Sequence, residues 1–206
     1  MKNILLIQSS PRGIDSLSQQ VARSIVDDLQ ARYPEAKVVV RDLAENPPPH
    51  IGRAFIDALH AQPDQMSQEQ DAAVTLSDSL IAELSLADVL VLAVPMYNFG
   101  PPSTLKAWID HVVRAGRTFA FSPSGVEGLL KAKRAILVLA RGGVYSDGPF
   151  KPFDFQEPYL RAVLGFIGIT DVDLIDVEGV AVSAIGPEKA LALAATQSKQ
   201  ALARLA

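Results

Sequence analysis

Five short apolar runs alternate with amphipathic segments along this chain, and that alternation constrains the fold more than any other feature. Each run is short enough to be a buried strand, whereas the segments between the runs place apolar residues at the spacing of one helical face. Strands that alternate with helices predict an α/β fold in which a doubly wound parallel sheet carries helices on both faces. The predicted strands cover residues 4–7, 38–40, 89–94, 135–139 and 172–177.

The five-stranded order of flavodoxin-like proteins fits this pattern best. In that order a ligand binds where the strand sequence reverses, beyond the carboxyl ends of the first and third strands. The last strand, residues 172–177, mixes apolar with acidic residues, which predicts an edge strand with one face in water. No repeat, low-complexity tract or sign of a second domain is visible, so we expect a single flavodoxin-like domain over residues 1–206.

The composition excludes several functional classes. The chain has 206 residues, a net charge of -4 and scattered basic residues, so we expect no nucleic-acid partner. The absence of cysteine excludes disulfides, thiolate nucleophiles and cysteine-ligated metals, and it fits a reducing compartment. The first strand begins too early to leave room for a signal peptide, and no apolar run approaches the roughly 20 residues that span a bilayer. We therefore expect a cytoplasmic protein with no membrane and no metal partner.

The loop after the first predicted strand, residues 9–18, runs directly into a helix and could bind an anion. Backbone N–H groups and the positive end of the helix dipole favour negative charge there, and the hydroxyls of Ser10, Ser16 and Ser18 could add donors. Neither the dinucleotide fingerprint nor the phosphate-loop motif is present, which favours a monophosphate over a pyrophosphate. Ser16 followed by Gln19 is equally a capping box that needs no ligand, so both interpretations stay open.

The loop after the third predicted strand, residues 96–99, suits a planar heteroaromatic ligand. The Asn98 amide can donate to and accept from a ring edge, backbone groups of Tyr97 and Phe99 can complete the match, and Met96 can pack against the ring. The alternative is an ordinary turn whose aromatic rings cover core.

The loop after the fourth predicted strand, residues 140–145, contains paired glycines that allow close approach of backbone to a ligand. We expect the N–H groups of Gly142 and Gly143 to bind the ligand, and we interpret the Arg141 side chain as solvated. Taken alone, two glycines after a strand are usually just a turn. The placement of three such loops at the carboxyl ends of one sheet is what makes them a predicted site.

Five motifs resemble the bacterial FMN-dependent NADH azoreductases, which are also NADH:quinone oxidoreductases. They are Met-Tyr-Asn-Phe at 96–99, Leu-Lys-Ala-Trp at 105–108, Arg-Ala-Gly-Arg-Thr-Phe at 114–119, Arg-Gly-Gly at 141–143 and Gly-Phe-Ile-Gly-Ile at 165–169. The resemblance runs over essentially the whole chain. It implies a homodimer that binds one FMN per subunit, with each active site at the dimer interface.

The resemblance also implies which residues contact the flavin. They are Ser10, Ser16, Leu17, Ser18, Met96, Tyr97, Asn98, Phe99, Ala140, Arg141, Gly142 and Gly143. At one of these positions the chain departs from the family, because Ala140 stands where the family usually has serine. Any contact there must come from backbone.

In the mechanism that the resemblance implies, NADH transfers a hydride to flavin N5 and leaves. A quinone or an aromatic azo compound then takes the electrons on the same ring face, which gives ping-pong kinetics and cleaves azo compounds to amines. The cofactor carries the chemistry, so no catalytic side chain is expected. We interpret His50, His60 and His111 as surface or interface residues. The candidate substrate residues are Phe99, Phe119, Phe121, Tyr145, Phe150 and Phe166, although aromatic residues also fill cores.

The main alternative function is a flavodoxin-type electron carrier that has no small-molecule substrate of its own. A weaker one is a flavin-binding regulator with incidental reductase activity. An enclosed substrate site would favour the enzyme, whereas a carrier needs a docking surface.

Overall fold

All five predicted strands pair in one parallel sheet in the computed structural model, which describes residues 1–123 and 125–205 except the side chain of Pro63. The sheet order is β2-β1-β3-β6-β7, which confirms the predicted flavodoxin-like order. Strands β4 and β5 pair only with each other, as an antiparallel ribbon. The strand bounds are β1 Asn3–Gln8, β2 Lys37–Asp42, β3 Val89–Pro95, β4 Phe119–Ser122, β5 Gly125–Gly128, β6 Arg134–Ala140 and β7 Asp171–Val177.

Helices cover both faces of the sheet because the central strands are apolar on both sides. Every residue of β3 is buried, and Val91 and Leu92 face opposite layers. One layer packs α1 and α6 on the sheet, and the other packs α3, α4 and α5. The helix bounds are α1 Leu17–Arg32, α2 Arg53–Ala58, α3 Gln68–Leu86, α4 Ser103–Val112, α5 Glu157–Phe166 and α6 Gly186–Ala203.

The prediction for the last strand is right about its edge position and wrong about its wet face. Strand β7 does lie at the sheet edge, but Asp173 and Asp176 are each only 7% exposed. Both carboxylates are covered because each faces a buried arginine on the neighbouring strand β6 or just after it, Arg134 for Asp173 and Arg141 for Asp176. Asp173 and Asp176 therefore mark ion pairs inside the protein rather than a solvated face, whereas Asp171 at the start of the strand is exposed.

The ribbon of β4 and β5 was not predicted, because its two strands are short and lack an apolar run. It lies away from the main sheet and packs on α5. None of the helices in the described residues is both long and apolar enough to cross a bilayer. The cytoplasmic location stays a prediction.

Candidate functional site

A cleft of about 220 Å³ lies at the carboxyl edge of the sheet, where the loops after β1, β3 and β6 meet. Among the predicted residues, Ser18, Asn98, Phe99 and Gly143 do not line this cleft, although Ser18, Asn98 and Gly143 each directly adjoin a residue that does. Arg12, Pro95 and Val180 line it and were missed by sequence reasoning. The lining residues are Ser10, Arg12, Ser16, Leu17, Pro95, Met96, Tyr97, Ala140, Arg141, Gly142 and Val180.

The loop before α1 is built as a helix cap that leaves two donors free. The Ser16 hydroxyl accepts from the Gln19 N–H at 3.5 Å, but the Gln19 side chain does not return the bond to Ser16. Its Nε2 donates instead to the Ser10 carbonyl at 3.1 Å, which fixes the loop in front of the helix. The capping box is thus only half formed. In the part of the chain that the structure describes, the N–H groups of Leu17 and Ser18 donate to no acceptor.

Two unpaired N–H groups at the first turn of a helix form an anion site, because the helix dipole adds partial positive charge to the donors. Arg12 adds a full charge beside them: it lines the cleft, is exposed, and makes no ion pair with any described residue. The signal that could have identified it is its position, since a lone basic residue in the loop between a strand and a helix N-terminus faces whatever binds there.

The loop after β3 closes as a tight hairpin. Tyr97 and Gly100 exchange backbone hydrogen bonds of 2.9 and 3.1 Å across it. The two residues between them have positive φ, 47° at Asn98 and 73° at Phe99, as a type I′ turn requires. Asparagine tolerates this region, but phenylalanine does not, and such strain costs of the order of 1–3 kcal/mol. Neither residue's N–H group finds an acceptor among the described residues, so the turn presents both donors outward.

The loop after β6 turns its carbonyl groups inward and leaves its N–H groups free. The carbonyls of Arg141, Gly142 and Gly143 accept hydrogen bonds from the turn after β7, residues 179–181, at 3.4, 2.9 and 2.9 Å. Within residues 1–123 and 125–205, the N–H groups of Gly142 and Gly143 donate to nothing. Two adjacent free donors, one of them on a residue that lines the cleft, support the predicted role of this loop in binding the ligand, which stays a prediction.

The interpretation of the Arg141 side chain as solvated is wrong. Its side chain is 0% exposed and forms what we call the carboxyl-end cluster with Asp154, Asp176 and Glu178. Its Nη2 lies 3.0 Å from Asp154, and its Nη1 lies 3.3 Å from Asp176 and 3.7 Å from Glu178. No local pattern in the sequence indicates this cluster, because all three carboxylates lie far along the chain.

The carboxyl-end cluster holds more acidic than basic groups, which affects its ionisation. Burial above all, and then the neighbouring carboxylates of Glu178, Glu157 and Asp154, raise the pKa of Asp176 to about 6, whereas Arg141 opposes the shift. Asp176 is therefore the group in which the excess negative charge is relieved, by holding a proton when the pH falls toward 6.

The six candidate substrate residues do not form one slot within a subunit. One set of contacting rings lies near the cleft and consists of Phe99, Tyr145, Phe150 and Phe153. The fourth ring, Phe153, is not among the six candidates. We call these four rings the cleft rings. The sequence does not show at which edge of the sheet a ring lies, so it left open which of the six candidates lie together.

Phe119, Phe121 and Phe166 form a second set, the ribbon rings. Phe166 ends α5, which starts beside the cleft and runs about 15 Å toward the other edge of the sheet. Among the described residues no ring contact joins the two sets. In the described part of the chain, none of the ribbon rings lines the cleft of its own subunit.

The histidine interpretation is also partly wrong. His50 and His60 are exposed, as expected, but His111 is only 2% exposed. Its Nε2 lies 2.9 Å from the Pro49 carbonyl, and its ring packs edge-on against Phe55 at 5.2 Å. It therefore holds the proline-rich connection onto α4.

Comparison with known proteins identifies the family. A model of the flavodoxin-like fold matches residues 2–202. The FMN-dependent NADH:quinone oxidoreductase of Beijerinckia indica is 51% identical over 179 residues, which are 87% of this chain and 89% of that protein. The chain belongs to the family of FMN-dependent NADH:quinone oxidoreductases. The family predicted from the sequence motifs and the predicted enzyme class are both confirmed.

Other members of this family and related structures agree. The FMN-dependent NADH:quinone oxidoreductase of Azotobacter vinelandii is 46% identical over 206 residues, the full length of both proteins. The azoreductase of Bacillus anthracis strain Sterne superimposes with a TM-score of 0.87 at 27% identity, covering 98% of this chain and 97% of that one. An FMN-dependent NADH-azoreductase from the Ames Ancestor strain, solved with FMN, shares the fold with a TM-score of 0.90 at 24% identity, covering 100% of this chain and 99% of that chain.

Proposed function

We propose that this oxidoreductase, formed by one domain over residues 1–206, binds FMN in the cleft and transfers electrons from NADH to quinones and aromatic azo compounds. Family membership makes FMN the cofactor and NADH the electron donor. The names of the relatives support quinones as acceptors, and the similarity to the Sterne azoreductase supports azo compounds. The family match over residues 2–202 supports a single domain.

The observation that carries the proposal is the arrangement of unpaired backbone donors at three neighbouring strand ends. The N–H groups of Leu17 and Ser18, with Arg12 beside them, fit a phosphate monoester. Those of Gly142 and Gly143 fit the electron-rich edge of a flavin pyrimidine. These donors lie at the cleft or directly beside it and no described group accepts from them, so one ligand bound there would satisfy them together.

The residues of this chain bind and orient the cofactor and stabilise charge on it. Leu17, Ser18 and Arg12 would bind the phosphate, and the Asn98 side-chain amide would form hydrogen bonds with the edge of the flavin ring. When bound, FMN supplies the hydride acceptor and donor at N5. The free N–H groups of Gly142 and Gly143 would face the edge of the flavin ring that becomes negatively charged on reduction. Donors fixed in advance at such a position usually make the largest single contribution to catalysis.

We infer further that the active protein is a homodimer with its sites at the subunit interface. The cleft volume of about 220 Å³ is smaller than the roughly 300–1,000 Å³ of typical ligand pockets. Large exposed rings also remain: Phe121 is 75% exposed and Phe150 is 53% exposed. The ribbon rings, which do not line the cleft of their own subunit, would then complete the substrate slot of the other subunit.

The proposal is tested by identifying the cofactor and then the kinetic order. We expect denaturation of the purified protein to release FMN, and we expect NADH alone to bleach the flavin absorbance rapidly in the absence of oxygen. Because one ring face serves both substrates in turn, double-reciprocal plots with NADH and a quinone should be parallel. Intersecting lines would overturn the ping-pong order. A flavin that NADH does not reduce would favour the electron carrier instead.

The dimer is tested separately by light scattering of the wild-type protein at assay concentration, where we expect a dimer. Quinone turnover and FMN content are then measured for Phe121→Ala, and we expect this variant to lose turnover while it keeps FMN. A monomer with full activity would contradict the inference.

A further inference from the structure

The Arg141 guanidinium connects every loop of the site except the one before α1. Its Nε donates to the Gln156 side-chain oxygen at 3.1 Å, and the Gln156 Nε2 donates on to the Val94 carbonyl at 3.2 Å. Val94 lies two residues before Met96, where the loop after β3 begins. Arg141 itself belongs to the loop after β6, so two of the three site loops are joined through one glutamine that is wholly buried.

The acidic partners of Arg141 extend this connection to the cleft rings. Asp154 accepts from the Gln156 and Glu157 N–H groups at 2.9 and 3.1 Å, which fixes the start of α5. Glu178 accepts from the Tyr145 N–H at 2.8 Å and also holds both the N–H and the hydroxyl of Ser146. The segment that carries Tyr145 and the segment that ends at Gln156 are therefore both held by groups that contact Arg141.

This cluster is a poor device for stability alone. One guanidinium faces three carboxylates in a place with almost no solvent, and buried ion pairs are often no better for stability than apolar packing of the same volume. What the cluster can do is hold its partners in fixed directions, because a planar guanidinium offers its donors in a rigid fork that a lysine cannot reproduce. Because Arg141 immediately precedes Gly142, a side chain held in this way also fixes the backbone at the start of the loop after β6.

We propose that Arg141 is a positioning residue: its buried guanidinium locks the ends of β3, β6 and β7 and the segment 145–157 into one unit and so aims the free N–H groups of Gly142 and Gly143 into the cleft. The inference rests on the proposed function for the identity of the ligand. The locking itself is a property of the protein without any ligand.

The experiment compares Arg141→Lys with Arg134→Lys. Arg134 is the matched control because it is a buried arginine at the start of the strand that Arg141 follows, paired with Asp173 at 2.9 Å, at the far edge of the sheet. Hydrogen exchange of the FMN-free proteins tests the locking. We expect the amides of Tyr145, Ser146, Gln156 and Glu157, which donate to Glu178 and Asp154, to lose protection together in Arg141→Lys and to keep it in Arg134→Lys. Unchanged protection in Arg141→Lys would overturn the proposal.

Titration with FMN tests the aiming. We expect the dissociation constant to rise at least tenfold in Arg141→Lys and less than twofold in Arg134→Lys. The affinity for reduced FMN should fall a further tenfold, because displaced donors no longer stabilise the negative charge of the reduced flavin. For a two-electron couple, this tenfold difference lowers the midpoint potential of the bound flavin by about 30 mV. Equal losses of FMN affinity in the two variants, at equal loss of melting temperature, would show a merely structural role.

A second variant covers the case in which Arg141→Lys does not fold. Gln156→Met keeps the arginine and its acidic partners but removes both bonds of the glutamine, the one from the Arg141 Nε and the one to the Val94 carbonyl. We expect it to raise the FMN dissociation constant at least threefold and to unprotect residues 154–157. An unchanged constant with unchanged protection would count against the proposal. If wild type itself bound no FMN, the proposed function would fail, whereas the exchange comparison would still decide the role of Arg141.

Discussion

Strands β6 and β7 carry at each end an ion-pair cluster built around one buried arginine, and the two clusters differ in charge balance. At the carboxyl ends, Arg141 alone faces Asp154, Asp176 and Glu178. At the amino ends, two arginines face two aspartates, in what we call the amino-end cluster: Arg134, Arg204, Asp171 and Asp173. The residue types and the strands are the same, so the difference comes from which other segments reach each edge.

The balanced cluster closes the edge of the sheet that carries no site loop. Arg204, from the end of α6, brings the second positive charge, and the Arg134 Nη1 also donates to the Arg204 carbonyl at 2.8 Å. The unbalanced cluster receives only loop segments, each of which brings a carboxylate. We interpret the balanced amino-end cluster as one that stabilises the fold. The carboxyl-end cluster keeps an unfavourable excess of negative charge, and we interpret it as one that fixes the geometry of the site.

The largest effect should come from breaking the balanced cluster. Asp173 accepts from Arg134 at 2.9 Å and from Arg204 at 2.6 Å, so Asp173→Asn leaves the largely buried Arg134 with only the more distant and half-exposed Asp171, at 3.5 Å, as its counter-charge. We expect the free energy of unfolding in urea to fall by about 2–4 kcal/mol while FMN affinity is unchanged. A parallel loss of FMN affinity would show that the two ends are not independent.

Gly142→Val should break the site end with the fold intact. A Cβ at Gly142 would meet only Ala181 among the described residues, at an ordinary 3.7 Å, so the fold accepts a valine at this residue of the cleft lining, where its branched side chain would obstruct the ligand. Wild type should gain about 2.7 kcal/mol from FMN at a hundredfold excess over its dissociation constant, roughly 5–10 °C in melting temperature for a chain of this size. We expect the variant to gain almost none.

Gly52→Val is the control for this prediction, since a Cβ there meets no described atom within 4 Å and Gly52, which precedes α2, does not line the cleft. It should keep both its circular dichroism and its gain from FMN. If Gly142→Val bound FMN like wild type, the loop after β6 would be only a turn.

The comparison between the two ends also shows where sequence reasoning stops. The strands, their order and the three site loops follow from the apolar runs and from the rule that ligands bind at carboxyl ends of parallel strands. The burial of Arg141 does not, because charged residues are usually exposed and its partners are 13 or more residues away in sequence. The free N–H groups of Gly142 and Gly143 depend on a turn at 179–181 that has no sequence signal.

Asp176→Asn should reveal the charge excess as a pH dependence of stability. Burial and the carboxylates of Glu178, Glu157 and Asp154 raise the pKa of Asp176 to about 6, against the pull of Arg141, so the folded state binds this proton more tightly than the unfolded state. The stability from Asp176 is therefore fully present below about pH 4 and is lost as the pH rises through 6. We expect wild type to lose about 1–3 kcal/mol between pH 4 and pH 7 that the variant does not lose.

Urea unfolding of both proteins at several pH values measures this difference, and Asp173→Asn measured in parallel shows whether any buried carboxylate of β7 would give the same result. A pH dependence in Asp176→Asn that matches wild type would remove Asp176 as the group that relieves the excess charge.

The smallest effect concerns Ala140, which stands where the family usually has serine. Ala140 is half-buried at the cleft, and its carbonyl already accepts from the Met96 N–H at 2.8 Å, so Ala140→Ser adds a hydroxyl without removing a contact. One neutral hydrogen bond contributes about 1 kcal/mol, so FMN should bind no more than about fivefold tighter. Ala135→Ser, near the other end of the same strand and 0% exposed, places its hydroxyl in apolar core and should cost about 1–3 kcal/mol of unfolding free energy. Calorimetric titration with FMN and urea unfolding separate the two outcomes, and weaker FMN binding by Ala140→Ser would show that the cleft at this position is shaped for a methyl group.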